Sequence, residues 1–156
     1  MLRYVDVKEV FAEIPDEITL AISISGCPMH CKGCHSQYLW EDVGEELTKD
    51  ALSVILAEHF GLTCICFMGG DQDPAEVNSL ALYVREHSNI RIAWYSGRDK
   101  IPQQICLDNF DYVKIGRYDE ECGPLNNRGT NQILYRVEHT ADDVTLTNIT
   151  HRFWKN

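Results

Sequence analysis

The chain has 156 residues, 14 Lys and Arg against 24 Asp and Glu, and a formal charge of −10 at neutral pH. That length suits one domain, 1–156, and is too short for a complete eight-unit (β/α) barrel, which takes about 250 residues. The acidic balance disfavours a nucleic-acid partner, and no apolar run approaches the roughly 20 residues of a membrane helix.

The N-terminal stretch Met1–Val10 carries Arg3, Asp6, Lys8 and Glu9, unlike a secretory signal, so the chain is expected in the cytoplasm with no membrane association. Apolar and β-branched runs follow at Leu2–Val7, Ile18–Ile24, Cys64–Met68, Ile90–Tyr95, Tyr112–Ile115, Ile133–Val137 and Val144–Ile149. The middle runs are short and nearly continuous in apolar character, as strands buried on both faces are. Helices alternate with them. Thr48 is a plausible N-cap for a helix with Leu52, Ile55, Leu56, His59 and Phe60 on one face and Gly61 as its stop. Asp73 caps a second helix with Pro74 at its first position and Val77, Leu80, Ala81 and Val84 as its stripe. A shorter helix is expected from Pro102 to just before Asn109. Strands alternating with helices predict an α/β fold, a partial (β/α) barrel with a mostly parallel sheet, whose ligand site lies beyond the carboxyl ends of the strands.

Seven cysteines are an odd number, and three of them fall within residues 27–34. Tight clustering without a signal peptide favours reduced thiols for metal or redox chemistry over a disulfide framework. The strand Ile18–Ile24 runs straight into this loop, Ser25-Gly26-Cys27-Pro28-Met29-His30-Cys31-Lys32-Gly33-Cys34-His35. Soft thiolates select zinc, copper(I) or iron–sulfur clusters. Zinc sites usually complete four ligands, and no matching second Cys pair follows; a zinc knob with His30 or His35 stays open as an alternative. A [4Fe–4S] cluster held by three thiolates would leave one iron free for a substrate. Gly26 and Gly33 let the loop curl, and Pro28 stiffens it.

Further strand ends carry polar turns. Thr63–Met68 runs into Gly69-Gly70-Asp71, where a backbone can approach a ligand closely and a carboxylate can accept from an ammonium; an ordinary turn reads the same way. Trp94-Tyr95 leads to Ser96-Gly97-Arg98, either pocket wall or plain turn with an exposed Arg. The stretch Gly123–Gln132 is rich in amides and turn residues, suited to pairing with an extended peptide or to solvated surface. Cys64 and Cys66 share a face of a core strand, Cys106 sits on an apolar helix position, and Cys122 lies in a polar loop, where it alone is a candidate for reactivity.

Cys-x3-Cys-x2-Cys after the first core strand of an α/β chain resembles the radical S-adenosylmethionine superfamily. That resemblance implies that Cys27, Cys31 and Cys34 ligate a [4Fe–4S] cluster whose unique iron binds the amino and carboxylate groups of S-adenosylmethionine. It implies cofactor contacts from Gly33, Cys34 and His35 beside the third ligand, and from Gly69, Gly70, Asp71 and Ser96 at the later strand ends. Gly-Gly-Asp stands where the superfamily has Gly-Gly-Glu, and Gly33 stands where many members have an aromatic residue. The short chain and Arg128-Gly129-Thr130-Asn131-Gln132 resemble the activating proteins of anaerobic ribonucleoside-triphosphate reductase, over about Ile18–Val137. The implied activity is reductive cleavage of S-adenosylmethionine and removal of a hydrogen from a glycine Cα of that reductase, leaving a glycyl radical. The implied partners are the reductase and an electron donor such as flavodoxin, and no side chain need act as acid or base. A pyruvate formate-lyase type activator, a deazaguanine-synthase-like enzyme, a plain electron-transfer module and a zinc-stabilised interaction protein are the alternatives.

Overall fold

The computed structural model describes residues 1–31, 33, 34 and 37–154. Its elements run β1 Arg3–Val10, β2 Thr19–Ile24, β3 Glu45–Glu46, α1 Lys49–Glu58, β4 Cys64–Met68, α2 Pro74–His87, β5 Arg91–Tyr95, β6 Tyr112–Ile115, β7 Ile133–His139 and β8 Val144–Asn148. The strands join in one sheet, ordered β3-β1-β2-β4-β5-β6-β7-β8.

The expected partial (β/α) barrel with a mostly parallel sheet is overturned. The sheet is mixed and open: β2, β4, β5 and β6 pair in parallel, while β1, β3, β7 and β8 join antiparallel. Connection length supplies the reason, because a parallel neighbour needs a crossover of about a dozen residues or more. Residues 11–18 between β1 and β2, and 140–143 between β7 and β8, are too short for one, and these pairs fold back as hairpins. The 116–132 connection is longer but contains no helix, and β7 returns antiparallel to β6. The helix expected from Pro102 is reduced to a 3-10 turn, Leu107–Asn109.

The two α-helices start where their caps dictate. Thr48 accepts from the Ala51 N–H at 3.0 Å, and Asp73 accepts from the Glu76 N–H at 3.2 Å with Pro74 at the first helical position. α1 ends earlier than the Gly61 stop implies, since His59 is already extended, and Phe60 stands 88% exposed instead of joining the apolar stripe. Leu52 and Ile55 of α1 pack with Val77, Leu80, Ala81 and Val84 of α2 onto one face of the sheet, against Leu20, Ile22, Ile65, Phe67, Ile92 and Trp94. Strand alternation sends Cys64 and Cys66 to the other face, with Ala93, Tyr112 and Leu134, beneath Ile14 and Ile149. Every residue of β4 but Met68 is thus sealed, which is why the run reads as continuously apolar.

Among the described residues, no helix is long and apolar enough to cross a membrane. Phe67 is fully buried in the helix-side core, so Phe67→Ala should destabilise the fold by about 3–5 kcal/mol. Urea denaturation of the two proteins measures this; a loss under about 1 kcal/mol would mean that the helices do not seal that face.

Candidate functional site

Four adjacent parallel strands, β2, β4, β5 and β6, release their carboxyl ends side by side. From these ends come the cysteine loop, the Gly69-Gly70-Asp71 turn, the Ser96-Gly97-Arg98 turn and Gly116. In an open α/β sheet such a row of ends is where ligands bind.

The cysteine loop is anchored at its base. Ser25 N–H donates to Arg3 O at 2.9 Å, Gly26 N–H to Glu41 O at 3.0 Å and Cys27 N–H to Leu39 O at 2.8 Å. Gln72, one residue past the Gly-Gly-Asp turn, donates its amide to Ser25 O at 2.7 Å. Gly26 and Gly33 take left-handed conformations, φ +77° and +75°, and so does His30 at +46°, whose ring stacks on Trp40 at 4.5 Å between centroids. Cys34 N–H closes back onto Cys31 O at 3.1 Å. All three cysteines are half-buried and outside any disulfide. Burial pushes the Cys27 thiol up, while hydrogen bonds from the Met29 and His30 backbone N–H groups favour its thiolate; the negative charges of Asp71 and Cys31 also reach it. His35, the remaining expected contact on this loop, lies outside the described residues.

The two later turns are joined by Asp71, which is only 2% exposed. Its Oδ1 accepts from Ser96 Oγ at 2.5 Å, its Oδ2 from the Gly97 N–H at 2.8 Å, and Arg98 Nε stands 3.9 Å from Oδ1. Arg98 also donates to the Asp71 carbonyl at 2.6 Å, so it is bound to the site and not the free surface arginine that the sequence also allowed. Gly69 O accepts from the Trp94 indole at 2.7 Å, and Gly70 O accepts from the Asp73 N–H at 3.0 Å. Gly70, at φ +92°, leaves no room for a side chain: a Cβ there would lie 2.4 Å from Val77. Every acceptor of the Gly-Gly-Asp turn therefore has a protein partner, and the motif is first a clamp between β4 and β5. Met29 ties the cysteine loop to this clamp, since a Cβ on Gly97 would come within 2.8 Å of Met29 Cγ.

Sequence reading passed over Lys114. It sits in β6 opposite Tyr95 and is buried, its Nζ donating to Gly116 O at 3.1 Å and Gln132 Oε1 at 2.9 Å and lying 5.5 Å from the Tyr95 ring centre. Burial holds its ammonium down to about 8, while the negative charges of Asp71, Cys31, Cys66 and Cys27 pull it back up. The signal was available: a lysine inside the apolar run Tyr-Val-Lys-Ile has nowhere to go but inward. Gln132 was noted only as part of the Arg-Gly-Thr-Asn-Gln element. That element turns out to be internal bracing: Asn131 donates to Arg117 O at 3.0 Å, Thr130 to Gly123 O at 3.2 Å, and Arg128 lies over Trp154.

The other thiols lie apart from this arrangement. Cys64 and Cys66 are fully buried within β4, and burial pushes both thiols well up. Cys106 is exposed and precedes the 3-10 turn, not on a helix as expected, and Cys122 has the Asp119 and Glu121 carboxylates as its charged neighbours. The hollow next to the cysteine loop, about 520 Å³, is lined by His30, Gln37, Trp40 and Glu41. A groove of similar size between the ends of α1 and α2, bordered by Phe60 and His87, is remote from all of these motifs.

Three soft thiols on one loop, with left-handed residues and backbone N–H groups bonded to a sulfur, fit a thiolate-held iron–sulfur cluster. Among the described residues no three His, Cys, Asp or Glu side chains converge where one metal ion could sit. The fold and loop thus define an iron–sulfur protein built on the strand ends of an open mixed sheet. A family model described as a 4Fe-4S single cluster domain matches residues 18–137, and the chain belongs to that family. No curated protein and no solved structure matches it.

Asp71→Ala would leave the Ser96 hydroxyl and the Gly97 N–H without their acceptor and Arg98 without its ion-pair carboxylate, and should cost about 1–3 kcal/mol of stability in the metal-free protein. Thermal or urea unfolding measures it; an unchanged midpoint would deny the clamp. Burial and raised thiols also predict that iodoacetamide at pH 8 labels Cys106 and spares Cys64 and Cys66 in the folded chain. Mass spectrometry reads the sites, and rapid labelling within β4 would contradict the sealed strand.

Proposed function

We propose that the protein is an activating enzyme that cleaves S-adenosylmethionine reductively at its [4Fe–4S] cluster and places a glycyl radical on a partner, the anaerobic ribonucleoside-triphosphate reductase. The observation that carries this reading is the juxtaposition of the three loop thiols with the clamped turns after β4 and β5, through Met29 against Gly97 and Gln72 against Ser25. The cluster with S-adenosylmethionine supplies, when bound, a one-electron cleavage of the sulfonium and the capacity to take a hydrogen atom from a glycine Cα.

Cys27, Cys31 and Cys34 are the residues that would hold the cluster. The family description, a single 4Fe-4S cluster, and the placement of the other four thiols support a three-thiolate site with one iron left open. Gly33, Cys34, His35, Gly69, Gly70 and Ser96 are the candidate contacts for S-adenosylmethionine. Asp71 serves that ligand by fixing the Gly69-Gly70 backbone, because both of its oxygens are already engaged. Arg98 holds the same turn from the outside, and Gln132 with Asn131 fixes the loop that follows β6. Stiff turns of this kind suit chemistry in which the protein orients a reactive ligand and excludes water, with no side chain acting as acid or base. The partner's glycine segment would cover the open side of the site, and a flavodoxin-type protein would supply the electron.

The test is anaerobic reconstitution with iron and sulfide, then addition of S-adenosylmethionine and dithionite. The expected result is a brown protein that forms 5′-deoxyadenosine and methionine, with product falling to background in Cys31→Ala. A brown protein that forms neither product is an electron-transfer module, and a colourless, zinc-containing one is a structural interaction protein; either result overturns the proposal.

A further inference from the structure

Lys114 is the one buried Lys or Arg among the described residues, 7% exposed, at the carboxyl end of β6. Parallel register sets it beside Tyr95, which is itself beside Met68 at the end of β4. Its backbone carbonyl accepts from the Ser96 N–H at 2.9 Å, so the strand is tied directly to the turn clamped by Asp71. An ammonium has three N–H donors. Gly116 O and Gln132 Oε1 take two of them, both neutral acceptors, so no carboxylate neutralises this charge through a hydrogen bond.

Asp71 pulls on it most strongly among the neighbouring charges, but that carboxylate is shared with Arg98, its ion-pair partner at 3.9 Å. Glu120 lies against Gly33 at the far end of the cysteine loop and adds negative charge there. Ser96 and Gly97 link the end of β6 to Met29 of the cysteine loop, and the charges of Cys27 and Cys31 are among those that favour the Lys114 ammonium. Burying an uncompensated ammonium is expensive, and a methionine of the same length would fill the space without that cost. The charge is therefore kept for something that arrives negative.

We propose that Lys114 is a positioning residue for the cluster's electrostatics: a buried counter-charge, held by Gly116 and Gln132, that stabilises the reduced cluster and raises its reduction potential. Three thiolates on a [4Fe–4S] core leave a net negative charge that grows by one when the core takes an electron from a donor such as dithionite; no bond breaks in that step. A fixed cation close by favours the more negative form. This inference rests on Cys27, Cys31 and Cys34 as cluster ligands and not on S-adenosylmethionine.

The experiment is an anaerobic redox titration of the reconstituted protein, followed by electron paramagnetic resonance of the reduced cluster, for the parent, Lys114→Arg and Lys114→Met. Circular dichroism and iron and sulfide content establish that each is folded and loaded. The expected result is a lower midpoint potential in Lys114→Met, with Lys114→Arg staying close to the parent. Should the methionine variant fail to fold, Lys114→Gln keeps a donor for Gly116 O while removing the charge, and the same downward shift is expected. Equal potentials in the parent and the uncharged variants overturn the proposal. If the parent makes no 5′-deoxyadenosine while its potential still falls on removal of the charge, the activating-enzyme reading fails and the role of Lys114 stands.

Discussion

A single buried carboxylate holds the working end of this protein together. Asp71 lies at the end of β4, yet its partners are the Ser96 hydroxyl, the Gly97 amide and the Arg98 guanidinium, all from the end of β5. Within the core a carboxylate is stable only when such donors surround it. The requirement fixes the two turns relative to each other, and through Gly97 it fixes Met29 and the cysteine loop above them. That node is a second hold on the loop, whose base is already anchored by backbone bonds to Arg3, Leu39 and Glu41.

The mixed sheet makes the same point at a larger scale. Only the four central strands are parallel, and only their carboxyl ends carry the motifs; the antiparallel strands flank them. β1 braces the loop from one side by accepting the Ser25 amide at Arg3 O. On the other side β7 follows the segment whose Gln132 holds Lys114. Both helices lie on one face, leaving the opposite face to shorter segments around Ile14 and Ile149.

Much of this was legible in the sequence because the signals are local. Thr48 and Asp73 announce helix starts by their own side-chain bonds, and the apolar run Cys64–Met68 is a strand over the residues expected. The cysteine spacing narrowed the loop to zinc, copper(I) or iron–sulfur chemistry, and the family match selects a 4Fe-4S cluster among them. Strand direction was not legible, because it depends on pairing between distant segments; the short 11–18 and 140–143 connections were the available hint. The end of α1 was misjudged because Gly61 looks like a stop, although the backbone already extends at His59. Lys114 was overlooked since a charged residue in an apolar strand gains meaning only when its acceptors, Gly116 and Gln132, are known.

The proposed chemistry requires a cluster held by three cysteines with one iron not bound by the protein. Mössbauer spectroscopy of protein reconstituted with 57Fe measures this most directly. One iron of the four should give a signal distinct from the other three, and that signal alone should shift when S-adenosylmethionine is added. Four equivalent, fully thiolate-bound irons whose spectrum ignores the nucleoside would contradict it.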